Sequence, residues 1–247
     1  MTVQFARRGD SVEFLASLEK GPDRQVLRWG GIAGVAGALC MFGTLLVVTM
    51  LGLPDASDVE TLTDYPNIAA GRMAEHFLYL GALVLFALHV LVLYRMLRPA
   101  HPAAALFGAA TALMGFITMA ASSLLHISTA ALSDLYEAAD AGELAAIEAA
   151  WVGAQSVFDT MLATGVLLVP IGLLLLGLAM RRFPAIASSI MWLTIGLGAV
   201  GTIGAVIAII DPGSMFSALS VLGFVVVMLA TGWQMLRVRA GMRDLAG

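Results

Sequence analysis

Six long apolar stretches separated by short polar ones dominate the chain. They run over about residues 27–51, 73–97, 103–128, 155–180, 185–210 and 214–236. Each reaches the roughly 20 residues that an α-helix needs to cross a hydrocarbon core about 30 Å thick. The pattern predicts an all-α fold, a polytopic membrane bundle of six transmembrane helices. The bundle takes residues 26–237, with a cytoplasmic amphipathic segment at 1–25 and a cytoplasmic tail at 238–247. In the first segment Asp10 and Glu13 have capping-box spacing, Phe14, Leu15 and Leu18 share a face, and Gly21-Pro22 ends the pattern. This predicts a short N-terminal interfacial helix. The first apolar run starts too late for a cleaved signal peptide, so the first span is expected to stay in the mature protein.

The connections differ in kind. Residues 52–72 hold Gly52, Pro54 and Pro66 and read as irregular. Residues 129–154 read as helical, with Asp140 and Glu143 at capping-box spacing and Leu144, Ile147 and Trp151 on one face. That predicts an outer-surface helix running into the fourth span. Together the two connections are expected to cover the ends of spans two, three and four. Pro170 removes a backbone donor and is expected to kink span four. Gly30, Gly34 and Ala38, then Gly198 with Thr202 and Gly204 with Ala208, place small residues four apart. Such faces let helix backbones approach closely in lipid, within one subunit or between copies.

Composition narrows the class. Hydrophobic residues make up 60% of the chain and charged residues 12%, with mean hydropathy +0.93. A soluble domain carries about 25% charged residues, so a soluble protein is excluded. With the N-terminus in the cytoplasm and alternating spans, 12 of the 13 Lys and Arg residues fall in cytoplasmic pieces, Arg72 being the exception. The positive-inside rule thus predicts that both termini are cytoplasmic, in an inner (plasma) membrane. The opposite side is acidic, with Asp55, Asp58, Asp64, Asp134, Asp140 and Asp211 among its residues. No basic stripe exists beyond the cytoplasmic rims, which excludes nucleic acid as a partner. Cys40 is the single cysteine, so a CxxC pair or a cysteine-rich metal site is excluded.

Two turns have similar chemistry. Leu97-Arg98-Pro99-Ala100-His101-Pro102 leads into an Ala/Leu-rich span, and Met180-Arg181-Arg182-Phe183-Pro184 leads into a Gly-rich one. With the long polar stretch between the two hairpins, this resembles the bacterial six-span family catalogued as domain of unknown function 4386. The resemblance covers roughly residues 27–210 and implies a six-span architecture. It brings no activity and no functional residue.

Ionisable side chains inside spans are costly and are functional candidates by default. Here they are Glu75, His76, His89, His126 and Asp159. Glu75 and His76 open span two, His126 closes span three, and Asp159 opens span four. Neighbouring antiparallel spans could bring these four together below the outer surface. Tyr79, Ser122, Ser123 and Gln155 lie one turn away from members of the set. Two imidazoles and two carboxylates are ligand types of zinc, iron or manganese. The same groups would suit a polar lipid head group. The structural alternative is a polar network in which Arg72 pairs with Glu75. A single haem on His76 and His126 is a further, rarer alternative. The remaining alternative is a non-catalytic membrane subunit or scaffold acting through glycine-rich faces, with a second copy or a membrane-protein partner. His89 lies mid-membrane and is expected to be a hydrogen-bonded core residue, and His101 a surface residue of the cytoplasmic turn. No P-loop, dinucleotide fingerprint or Ser–His–Asp arrangement is visible, and no catalytic residue is assigned.

Overall fold

The structure is a computed structural model that describes residues 23–54, 60–125, 127–183, 186–211 and 214–244. Of the amphipathic segment expected at 1–25, residues 1–22 lie outside the described residues, and 23–25 open the first helix. Among the described residues seven helices follow in order: α1 (Asp23–Leu51), α2 (Glu60–Leu97), α3 (Pro102–Leu125), α4 (Ile127–Ala138), α5 (Leu144–Met180), α6 (Ser188–Ile210) and α7 (Phe216–Asp244). There is no strand among the described residues. Six helical stretches are long and apolar enough to cross a membrane, carried by α1, α2, α3 with α4, α5, α6 and α7. Backbone groups in hydrocarbon must be satisfied internally, and an all-helical chain does this within each segment.

The spans pack as a closed ring in the order α1, α2, α3, α5, α6, α7, with α7 returning to α1. Neighbours run antiparallel. Gly30, Gly34 and Gly37 of α1 meet Val92, His89 and Phe86 of α2, and Gly108 and Gly115 of α3 meet Leu176 and Val169 of α5. One end of the ring thus gathers Arg28, Arg95, Arg98, Arg181, Arg182 and Arg237. Trp29, Trp192 and Trp233 are exposed at this basic end, with the Arg237 guanidinium 5.3 Å from the Trp233 ring centre. Aromatic rings beside basic residues mark a membrane–water interface.

Glycines hold the ring together. A Cβ on Gly172 of α5 would lie 2.5 Å from the Ala112 backbone nitrogen, and one on Gly198 of α6 2.7 Å from that of Leu174. A Cβ on Gly34 would meet both Met228 O and His89 Nδ1 at 2.8 Å. The glycine faces of α1 and α6 are therefore occupied within the chain. At the ring's centre Phe86, Phe116 and Phe224 form a buried trio with centroid separations of 5.7, 6.1 and 5.8 Å. Edge-on and tilted pairs of this kind add about 1 kcal/mol each beyond simple burial. Each ring sits near the middle of its apolar run (73–97, 103–128 and 214–236), so the trio plugs the bundle at mid-depth.

The acidic end departs from the expected layout. Residues 60–72 are helical and not irregular, because α2 begins at Glu60 and carries Pro66 inside it. A proline at 66 cannot donate to the Leu62 carbonyl one turn earlier. The Ser133 hydroxyl of α4 donates to that carbonyl instead, at 2.7 Å, with both residues buried. The same device recurs at Pro170, whose missing donor would have served Val166. There the Ser220 hydroxyl of α7 lies 3.4 Å from Val166 O and 3.1 Å from Gly201 O. A neighbouring hydroxyl that replaces the lost bond lets proline sit inside a membrane helix.

At 38 and 37 residues, α2 and α5 are longer than their apolar runs. At about 1.5 Å per residue they outreach a core of about 30 Å. Their first turns project from the acidic end and, with α4, build a helical cap. Tyr136 of α4 donates to Glu148 of α5 at 3.0 Å across it. The expected surface helix is thus two helices broken at residues 139–143. Asp140 does not cap α5. Its carboxylate accepts from Gly142 N at 2.9 Å in a local turn, and Glu143 stands at the helix N-cap.

Candidate functional site

A cavity of about 990 Å³ lies between the phenylalanine trio and the cap. Every helix lines it. From α2 come Thr61, Tyr65, Arg72, Glu75, His76 and Tyr79, from α4 Thr129, and from α5 Asp159. These form its polar side. Met41 and Leu45 of α1, Met119 of α3, Val166 of α5, Ala205 of α6 and Val225 of α7 form an apolar remainder.

Of the four residues singled out from sequence, Glu75, His76 and Asp159 reach this one cavity. His126 lies outside the described residues. Glu75 and His76 are adjacent on α2 and both half-buried, and Asp159 approaches from α5. Among the described residues no three His, Cys, Asp or Glu side chains come close enough to hold a metal ion. Glu75, His76 and Asp159 therefore share a wall without forming a coordination shell among themselves.

Arg72 organises the polar side. Its Nη1 donates to Glu75 Oε2 at 2.9 Å, the i, i+3 pair expected from sequence. Its Nη2 donates to the Pro54 carbonyl, which ties the segment after α1 to α2. Its Nε is buried and has no protein partner. The Tyr79 and Thr129 hydroxyls are likewise buried without a partner. Buried polar atoms are nearly always bonded, to protein, water or a ligand. Arg72, Tyr79 and Thr129 all line this one cavity, so its polar side holds three buried polar atoms without a partner in the protein.

Other expected neighbours serve elsewhere. The Ser122 and Ser123 hydroxyls donate to Met119 O (2.7 Å) and Ala120 O (3.0 Å) of their own helix. Gln155 is buried below the cap. His89 is fully buried among α1, α2 and α7, with Nδ1 2.7 Å from Gly30 O and Nε2 2.8 Å from Thr231 Oγ1. A carbonyl only accepts, so Nδ1 carries the hydrogen to Gly30, and both ring nitrogens are engaged. His89 is a structural clasp, as expected, and offers no lone pair to a haem or metal.

Sequence reasoning missed two parts of the site. Tyr65 and Thr129 belong to connections read as irregular or as surface, and no periodic signal marks them. Apart from Phe42 and Thr44, the lining from α1, α6 and α7 is ordinary Leu, Met, Val and Ala, indistinguishable in sequence from lipid-facing residues. Comparisons with protein-family models, with curated proteins and with solved structures find no match for this chain.

Proposed function

We propose that this is a multi-pass protein of the inner (plasma) membrane whose outward-facing pocket binds the polar head group of a lipid. Glu75, Asp159 and His76 would contact the head group, with His126 as a fourth member, and Arg72 would take an acidic oxygen. The observation that carries the reading is the two-faced cavity, with its charged and titratable groups on α2 and α5 and, Thr44 apart, an apolar lining from α1, α6 and α7. Pockets with a few placed polar groups on a mainly apolar wall suit ligands that are themselves two-faced. Orientation rests on the basic end, which the positive-inside rule puts in the cytoplasm together with both termini. The cavity then faces outward.

The test is lipid extraction and mass spectrometry on protein purified in mild detergent. A defined lipid should co-purify with the wild type, and Glu75→Gln with Asp159→Asn should lose it while the protein stays helical. The same bound population in the double variant counts against the reading. Elemental analysis of the wild-type sample addresses the metal form of the site. About one equivalent of zinc, iron or manganese, lost in His126→Ala, would place a metal at Glu75, His76, His126 and Asp159 instead.

A further inference from the structure

Resting on the head-group pocket, we propose that an acyl chain enters the cavity sideways from the membrane, between the acidic-end halves of α1 and α7. The natural occupant is then a long-chain amphiphile and not a small water-soluble molecule.

The two helices meet in two regimes. Toward the basic end their backbones almost touch. A Cβ on Gly232 would stand 3.0 Å from both Gly31 O and Val35 N. His89 reinforces that seam by bonding Gly30 on one side and Thr231 on the other. Beyond Gly34 and Met228 no glycine joins α1 to α7. Each helix now turns an apolar face to the void, Met41 with Leu45 on α1 and Leu222 with Val225 on α7. Positions three or four apart lie on one side of a helix.

Access to lipid follows from exposure. Phe42, Leu45 and Leu222 line the cavity yet are 41%, 52% and 44% exposed. Met41 and Val225, deeper on the same helices, are buried. The lining thus runs from the bundle's outer surface to its interior along α1 and α7. The titratable groups lie on α2 and α5, which places the head of an amphiphile at Glu75 and Asp159 and its chain toward the apolar stretch of α1 and α7. The lining does not extend into the buried Phe86–Phe116–Phe224 trio at mid-depth, so the geometry fits holding a molecule rather than passing one through. Lipid tails are as apolar as the leucines lining the gap, so the chain moves in from the bilayer at little cost and selectivity falls to the head group.

The experiment uses the full chain in nanodiscs doped with phosphatidylethanolamine carrying a diazirine in one acyl chain, or one on the head group. Labelled residues are mapped by mass spectrometry. The acyl probe should mark the buried Met41 and Val225, and the head-group probe Tyr79 and the segment around Asp159. Leu222→Trp, which fills the gap, should lower acyl labelling of Met41 severalfold, and Leu222→Ala should not. If Leu222→Trp does not fold, the wild-type pattern decides by itself. Head-group labelling of the pocket with acyl labelling confined to the outer surface overturns the portal and leaves the pocket standing. So does equal competition by glycerophosphoethanolamine, which has the head group and no chains. No labelling inside the cavity by either probe removes both.

Discussion

The basic-end and acidic-end halves of this bundle are built from the same helices and similar residues, yet one half is sealed and the other hollow. In the basic half, glycines bring backbones within contact. Gly31, Gly34, Gly172 and Gly232 each face a neighbour's backbone at a distance that leaves no room for a methyl group. In the acidic half α3 and α5 still touch at Gly165, and α6 and α7 at Gly204, but larger side chains of α1 and α7 line a void of about 990 Å³. In lipid, where packing rather than hydrophobicity joins helices, the position of small residues decides where a bundle closes.

The strongest test of that contrast is to overfill the sealed half. Gly172→Val forces a branched side chain onto the Ala112 and Gly108 backbones, neither of which can yield cheaply. It should lose about 3 kcal/mol or more, with most of the protein unfolding or aggregating on extraction. A denaturant titration in detergent that gives wild-type stability would break the argument. A sharper version uses one helix. Gly34 and Gly43 both lie on α1, but a Cβ at 43 would meet only Leu78, at 3.4 Å and beyond. Gly34→Ala should cost about 1–3 kcal/mol. Gly43→Ala should be neutral or gain up to about 1 kcal/mol from helix propensity. Equal melting temperatures for the two variants would mean that the halves do not differ as described.

The cap offers a test by double substitution. Ser133→Ala leaves the buried Leu62 carbonyl without a donor and should cost about 1–2 kcal/mol. Pro66→Ala returns the intrahelical donor, so in the Ser133→Ala background it should restore most of that loss. Additive losses would show that the hydroxyl is not replacing the missing bond. The smallest expected stability effect is at the pocket. Glu75→Gln removes a partly exposed ion pair with Arg72 and should change stability by less than about 1 kcal/mol. Its effect on bound lipid should be larger, a weakening of about tenfold or 1.4 kcal/mol. A loss of stability with lipid retained would assign Glu75 to structure alone.

How much of this was legible varies by residue. Pro170 was visible as a proline in an apolar run, but Ser220, 50 positions later, was not legible as its partner. Pro66 suggested irregular backbone, and only the position of Ser133 shows why the helix survives it. Gly34 and Gly198 were visible as small-residue faces, but whether a face meets its own chain or another copy depends on which helices are neighbours. Glu75, His76 and Asp159 stood out as charged or titratable groups in apolar runs. That they share a cavity with α1 and α7 follows from the ring closing α7 onto α1.

The sequence by itself determined the class, the number of spans and the clustering of basic residues at one end. These depend on local properties: run length against bilayer thickness, and the distribution of charge between successive runs. Only the tertiary structure decided where the ring closes, where it opens, and that prolines and serines far apart complete each other. A leucine facing lipid and a leucine facing a cavity have the same hydropathy, and only the arrangement of the surrounding helices distinguishes them.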